Sequence, residues 1–142
     1  MLIFETGLGD YVAKVADFGY STQYVEASDL INMPKSEPWH APEWHHRGFT
    51  PAQAMKMDAY SFGLLVLWVL HYSSKKDSYL RLKSDMDQVS DDILPLASNL
   101  ANVVSPRFKD NLLHFYEKTL TRDVESRCSN FEYLRDILAG EK

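Results

Sequence analysis

The sequence predicts a mainly helical domain with one small β-hairpin and a long irregular segment, and three observations carry that prediction. From about Met57 to Tyr72 the chain is apolar nearly all round, the pattern of a helix surrounded by protein. After Ser105-Pro106, residues Phe108, Leu112, Phe115, Tyr116 and Leu120 recur at helical spacing. From Phe18 to Pro42, by contrast, no periodicity holds, and Ser, Thr, Asp, Asn and Pro are frequent. Loops of that length in a compact domain are usually functional or disordered.

Taken in order, Leu2-Ile3-Phe4 is a short apolar run, and Tyr11 to Ala16 is a second, rich in β-branched and aromatic residues. The turn-forming string Thr6-Gly7-Leu8-Gly9-Asp10 between them predicts a hairpin. Thr50-Pro51-Ala52-Gln53 supplies a cap residue, a proline at the first helical position and a glutamine three after the cap, so the long helix starts there. Ser73 to Val104 is polar and charged, with room only for short helices. Ser129 followed by Glu132 reads as a capping box ahead of the stripe Phe131, Leu134, Ile137 and Leu138.

Composition narrows the function. The 142 residues are 45% apolar and 25% charged, which suits one globular domain with a core of its own. Net charge is −5 with Lys and Arg scattered, so a basic face for nucleic acid is not expected. The longest apolar run, Ala59 to Leu70, falls short of the roughly 20 residues that a bilayer needs, so no membrane partner is expected. The single cysteine, Cys128, forms no intrachain disulfide and reads as a small buried residue. Met1-Leu2-Ile3-Phe4 is apolar but has no basic n-region and meets Glu5 at once, so with a single cysteine a cytoplasmic location is the expectation.

Three separated motifs then occur in one order. Asp17-Phe18-Gly19 follows a predicted strand, Ala41-Pro42-Glu43 comes 22 residues after Gly19, and Asp58-Ala59-Tyr60-Ser61-Phe62-Gly63 opens the buried helix. Asp123-Val124-Glu125-Ser126-Arg127 precedes the last helix. Together these resemble the protein kinase catalytic domain, in its C-lobe, over about Leu2 to Leu138. The resemblance implies a partial kinase domain spanning 1–142, with 17–43 as its activation segment.

It also implies roles. Asp17, with Phe18 and Gly19, would belong to the nucleotide site, and Asp17 would hold the Mg²⁺ that bridges the phosphates of ATP. Glu43 and Arg127 would form a buried structural ion pair, and Asp58 would accept hydrogen bonds from the backbone of the catalytic loop. Thr22, Ser28 and Ser36 are possible phosphorylation sites. Tyr20 and Tyr24 lie in the same segment. Ser36, five residues before Ala41, leans the implied substrate toward protein Ser/Thr.

Some look-alikes are set aside. Lys14 in Val12-Ala13-Lys14 lies three residues before Asp17, the wrong place for the phosphate-pairing lysine of the N-lobe. Gly7-Leu8-Gly9 lacks a third glycine and a following helix. His40, His45 and His46 with Glu43 do not have zinc-motif spacing. No G-x-G-x-x-G, N-lobe lysine–glutamate pair or H-R-D-x-x-x-x-N loop occurs in the 142 residues. The expectation is therefore a kinase fragment without its N-lobe or catalytic base, inactive alone and binding neither Mg²⁺ nor ATP by itself. The alternative is a non-catalytic kinase-like module that competes for a kinase's protein substrates or regulators.

Overall fold

The structure is a computed structural model that describes residues 2–7, 9–19, 21–23, 26–45, 48–72, 75–89, 92–103 and 106–140. Leu8, Tyr20, Tyr24, His46 and Ser105, singled out in the sequence, lie outside the described residues. The architecture is mainly helical with one two-stranded antiparallel hairpin. Strands β1 (Leu2–Glu5) and β2 (Tyr11–Lys14) pair in the register Ile3↔Ala13, Phe4↔Val12 and Glu5↔Tyr11. The turn closes through Thr6 N–H donating to Asp10 O at 2.7 Å, and Gly9 supplies its positive φ of 80°. β2 ends two residues before the predicted Ala16, and Ile3, Phe4, Glu5 and all of β2 are exposed.

Helix α1 (Pro51–His71) is the spine. Its start follows the sequence signal: Thr50 accepts from Gln53 N–H, the Gln53 side chain accepts from Thr50 N–H at 3.0 Å, and Pro51 sits where its missing donor costs nothing. Met57, Ala59, Tyr60, Leu64 and Leu67 of α1 are buried in a core shared with Leu112, Phe115 and Tyr116 of α4 (Pro106–Thr119), Leu120 just beyond it, and Leu134 and Ile137 of α5 (Phe131–Ala139). Two shorter helices, α2 (Ser78–Gln88) and α3 (Leu94–Ala101), fill the polar stretch and bring Leu82, Ala97 and Ala101 to that core. Among the described residues no helix is long and apolar enough to cross a membrane.

Several expectations are corrected. α1 is not surrounded: Leu70 near its end is exposed, and with Leu65, Val66 and Val69 it lines an open apolar groove toward Phe108, Leu112 and Leu138. Phe108 was expected in the core stripe but is 46% exposed at the rim of that groove. The last helix is capped by Asn130, whose side chain accepts from Tyr133 N–H at 3.1 Å, so Ser129 and Glu132 do not form the box. Cys128 is half-buried rather than buried.

At Gly63 the spine lies close against the end of α4. A methyl group there would lie 2.5 Å from Thr119 Oγ1 and 2.7 Å from Leu120 Cδ2. Thr119 is fully buried and its hydroxyl donates to Phe115 O at 2.8 Å, so it has little freedom to retreat. Overpacking of this kind costs about 1–3 kcal/mol, against about 1 kcal/mol gained from alanine's helix propensity. Gly63→Ala is expected to lower stability by up to about 2 kcal/mol in urea unfolding, and a stability raised by the full ~1 kcal/mol of alanine's helix propensity at unchanged slope would refute the close approach.

His71, at the end of α1, is buried, and its Nε2 has no hydrogen-bond partner among the described residues. Burial, with the nearby Lys75 charge second, lowers its pKa below the usual 6.5. The unfolded chain therefore binds this proton more readily than the folded one, and stability falls as pH drops below about 6.5. His71→Gln is expected to flatten that slope in thermal melts taken between pH 7 and 5; an identical slope would refute the assignment.

Candidate functional site

The irregular stretch 17–43 is pinned to the helices at successive points, and the candidate site is built along it. It leaves β2 at Asp17, a non-glycine residue in the left-handed region at φ 67°, a conformation aspartate adopts more readily than most. The Asp17 carboxylate turns forward, and its Oδ1 accepts from Gly19 N–H at 3.3 Å. Ser21 N–H donates to Phe18 O at 3.0 Å and completes the turn. Asp17, Phe18 and Gly19 are all exposed, so one face of the carboxylate is open to a ligand.

Further on, Thr22 is exposed, and Ser28 Oγ donates to Glu26 Oε2 at 3.3 Å in a local turn. Ile31 and Phe49 then exchange backbone hydrogen bonds of 2.7 and 2.9 Å, and Gly48 N–H donates to Asn32 Oδ1 at 3.2 Å. These bonds bring the two ends of 32–48 together. Within that loop, Glu37 takes ion pairs from both Lys35 and Lys83, and Tyr79 Oη donates to Glu37 O at 3.2 Å. The Lys35 and Lys83 hydrogen bonds hold the exposed Glu37 carboxyl down to a pKa of about 2. Next, Ser61 Oγ of α1 donates to Trp39 O at 2.7 Å.

The far end is the firmest. Pro42–His45 forms one 3-10 turn that presents Glu43 to Arg127. Arg127 Nη1 and Nη2 donate to Glu43 Oε1 and Oε2 at 2.5 and 3.1 Å, a bidentate pair. Nε donates to Thr121 O at 2.7 Å, Nη2 also reaches Arg122 O at 3.3 Å, and the guanidinium lies 4.7 Å from the Tyr60 ring centroid. The Arg127 side chain has no exposed surface and that of Glu43 is 13% exposed.

Asp58 projects from α1 toward the same segment. It lines two adjoining cavities of about 250 and 110 Å³, the first with Thr22, Ile31 and Met55, the second with Ser36, His40 and Ser61; Met33 and Pro34 border both. Asp58 is exposed by area, yet the atoms crowding its carboxyl displace enough water to raise its pKa above the usual 3.8. The structure thus brings Asp58 and Ser36 to one cavity and Thr22 to its neighbour, while Ser28 stands apart. Asp17 lines neither cavity.

Sequence reasoning missed the Lys83 and Tyr79 grip on Glu37, because nothing local links positions 46 and 42 residues apart. It also missed Ser61, although a hydroxyl in an otherwise apolar helix was a usable signal.

Arg127→Ala leaves the Glu43 carboxylate without its cation, a change that typically costs about 3–5 kcal/mol. Glu43→Gln is expected to cost less, since the amide oxygen still accepts. Glu43→Ala with Arg127→Ala is expected to cost less than the sum of the two single alanine changes in urea unfolding; strict additivity with both near zero would refute the coupling.

No curated protein and no solved structure matches the chain. The family model described as the protein kinase domain matches residues 2–138, nearly the whole sequence. The chain therefore belongs to the protein kinase domain family.

Proposed function

We propose that this chain is the C-lobe portion of a kinase domain, with 17–43 as its activation segment, serving ATP-dependent phosphoryl transfer to protein Ser/Thr hydroxyls. The observation that carries the reading is the mounting of that segment: an accessible Asp17 carboxylate at one end and the Glu43–Arg127 pair locking the other. A hard carboxylate oxygen fits Mg²⁺, which typically takes one or two carboxylates plus phosphate oxygens and water. Among the described residues no three His, Cys, Asp or Glu side chains converge on a common point, so Asp17 would act as one ligand shared with a nucleotide. When bound, Mg²⁺ neutralises charge on the transferred phosphoryl group.

The remaining residues position rather than react. Ser36 borders the Asp58 cavity, and a hydroxyl at that place supports a Ser/Thr acceptor over Tyr. Asp58 offers a partly desolvated carboxylate, suited to accepting backbone N–H donors from a catalytic loop. Thr22, Ser28 and Ser36 are exposed and open to phosphorylation. The H-R-D-x-x-x-x-N base is not among the 142 residues, so they are proposed to be inactive alone. A second reading, a non-catalytic module that competes for a kinase's protein partners, draws support from the open apolar groove beside α1.

Two measurements test the proposal. With Mg-ATP and generic Ser/Thr or Tyr substrates, the purified chain is expected to transfer no phosphate above a no-enzyme blank. Transfer that disappears in Asp17→Ala would overturn the claim of inactivity. With Mn²⁺ and ATP as paramagnetic probe, the chain alone is expected to show no saturable broadening at the Asp17–Gly19 amides. Saturable broadening there that is lost in Asp17→Asn would overturn the claim that the chain alone binds no nucleotide-held metal.

A further inference from the structure

The hairpin is uncovered on both faces. Ile3 and Tyr11 are 64% and 70% exposed on one side, and Phe4 and Val12 are 46% and 43% exposed on the other. Such a two-stranded unit is marginal in water by itself and is made stable by a further strand or a packed helix. Neither strand carries a proline, and β2 is framed by both signs of charge, Asp10 just before it and Lys14 at its end.

The hydrogen-bond ladder fixes which backbone groups are left over. Thr6 N–H donates to Asp10 O at 2.7 Å, so that pair is a bonded one, and bonded pairs alternate with unbonded ones along an antiparallel ladder. Phe4↔Val12 is therefore bonded, while Tyr11 and Ala13, opposite Glu5 and Ile3, turn their N–H and C=O to the outer edge of β2. Side chains alternate in the same way, which puts Asp10, Val12 and Lys14 on one face. The Lys14 ammonium lies 5.1 Å from the Phe4 ring centroid, on that same face.

We propose that the outer edge of β2 pairs antiparallel with β2 of a second copy, joining the two hairpins into one continuous sheet. A two-fold axis through that sheet makes one residue of the strand face its own copy. With Val12 on the axis, Tyr11 and Ala13 of each copy exchange backbone bonds with Ala13 and Tyr11 of the other, and Lys14 of each meets Asp10 of the other. Phe4 and Val12 of one copy then run on into Val12 and Phe4 of the second, an apolar row across the whole sheet. With Ala13 on the axis, Lys14 would face Val12 instead. A lysine on an edge strand ordinarily discourages pairing, and only the register centred on Val12 answers its charge. The edge of β1 offers no such match, since Glu5 is its single ionic residue. Charge complementarity therefore selects a second copy over an unrelated strand. The dimer needs neither nucleotide nor metal, and so stands apart from phosphoryl transfer.

The test is sedimentation velocity of the full chain over a range of concentrations, where a monomer–dimer equilibrium is expected. Asp10→Lys alone and Lys14→Asp alone set like charges opposite one another and are expected to weaken the dimer ~tenfold or more. Mixed in equal amounts, these two variants restore both ion pairs, so their heterodimer is expected to regain the affinity of the wild type. Val12→Lys, at the axis, is expected to weaken the dimer ~tenfold or more, whereas Arg107→Glu on α4 should change nothing. Circular dichroism confirms that each variant is folded. A monomer at every concentration, self-association that does not stop at the dimer, or a dimer that the β2 variants leave intact would overturn the pairing. So would a mixture of the two charge variants that associates no more tightly than either alone.

Discussion

The Arg127 guanidinium joins three separate parts of the chain at one point. Its planar fork meets both oxygens of Glu43, two carbonyls of the 121–122 stretch and the face of Tyr60 on α1. Lysine could not replace it, because a single ammonium cannot span two carboxylate oxygens and stack on a ring at once. Burying such a pair gives back much of its attraction in lost hydration, so its net stabilisation is smaller than its geometry suggests. Its clearest contribution is register: the end of an otherwise irregular segment can sit in one place only.

α1 turns that local fix into a global one. Tyr60 lies beneath the guanidinium, Ser61 holds Trp39, and Gly63 lets α4 approach, all within a single turn of helix. One turn earlier, Lys56 donates to Glu125 Oε2 at 2.7 Å and secures the stretch that leads into Arg127. A small residue on one face and hydrogen-bonding groups on the others make this part of α1 a junction, which apolar periodicity alone does not reveal.

What was legible in the sequence was local chemistry and motif. The Thr50–Gln53 box formed as read because its donors and acceptors are three residues apart. The hairpin formed because its turn residues permit the required backbone. Phe108 and Phe131 were placed on the correct helices but assigned too much burial, since spacing gives the direction of a face and not where the core stops. The cap moved from Ser129 to Asn130 because both residue types can accept and packing chose between them. α2 was read as only a short possibility because Leu82 is its single buried residue, too little for a periodic signal. Of the candidate site, Asp17, Glu43, Asp58 and Arg127 were legible by motif. The cavities beside Asp58 and the Glu37 clasp exist only once the chain is folded.

The points that hold 17–43 differ in kind, and ionic strength separates them. Lys83 and Glu37 meet in open solvent, where mobile ions at physiological salt screen charges over about 8 Å. Glu43 and Arg127 meet where ions cannot follow. As electrolyte rises, the segment therefore loosens first where it touches α2 and last where it meets Arg127. The same segment is held by screened charge at its middle and by a buried pair at its end, so the surrounding solution acts on one and not on the other.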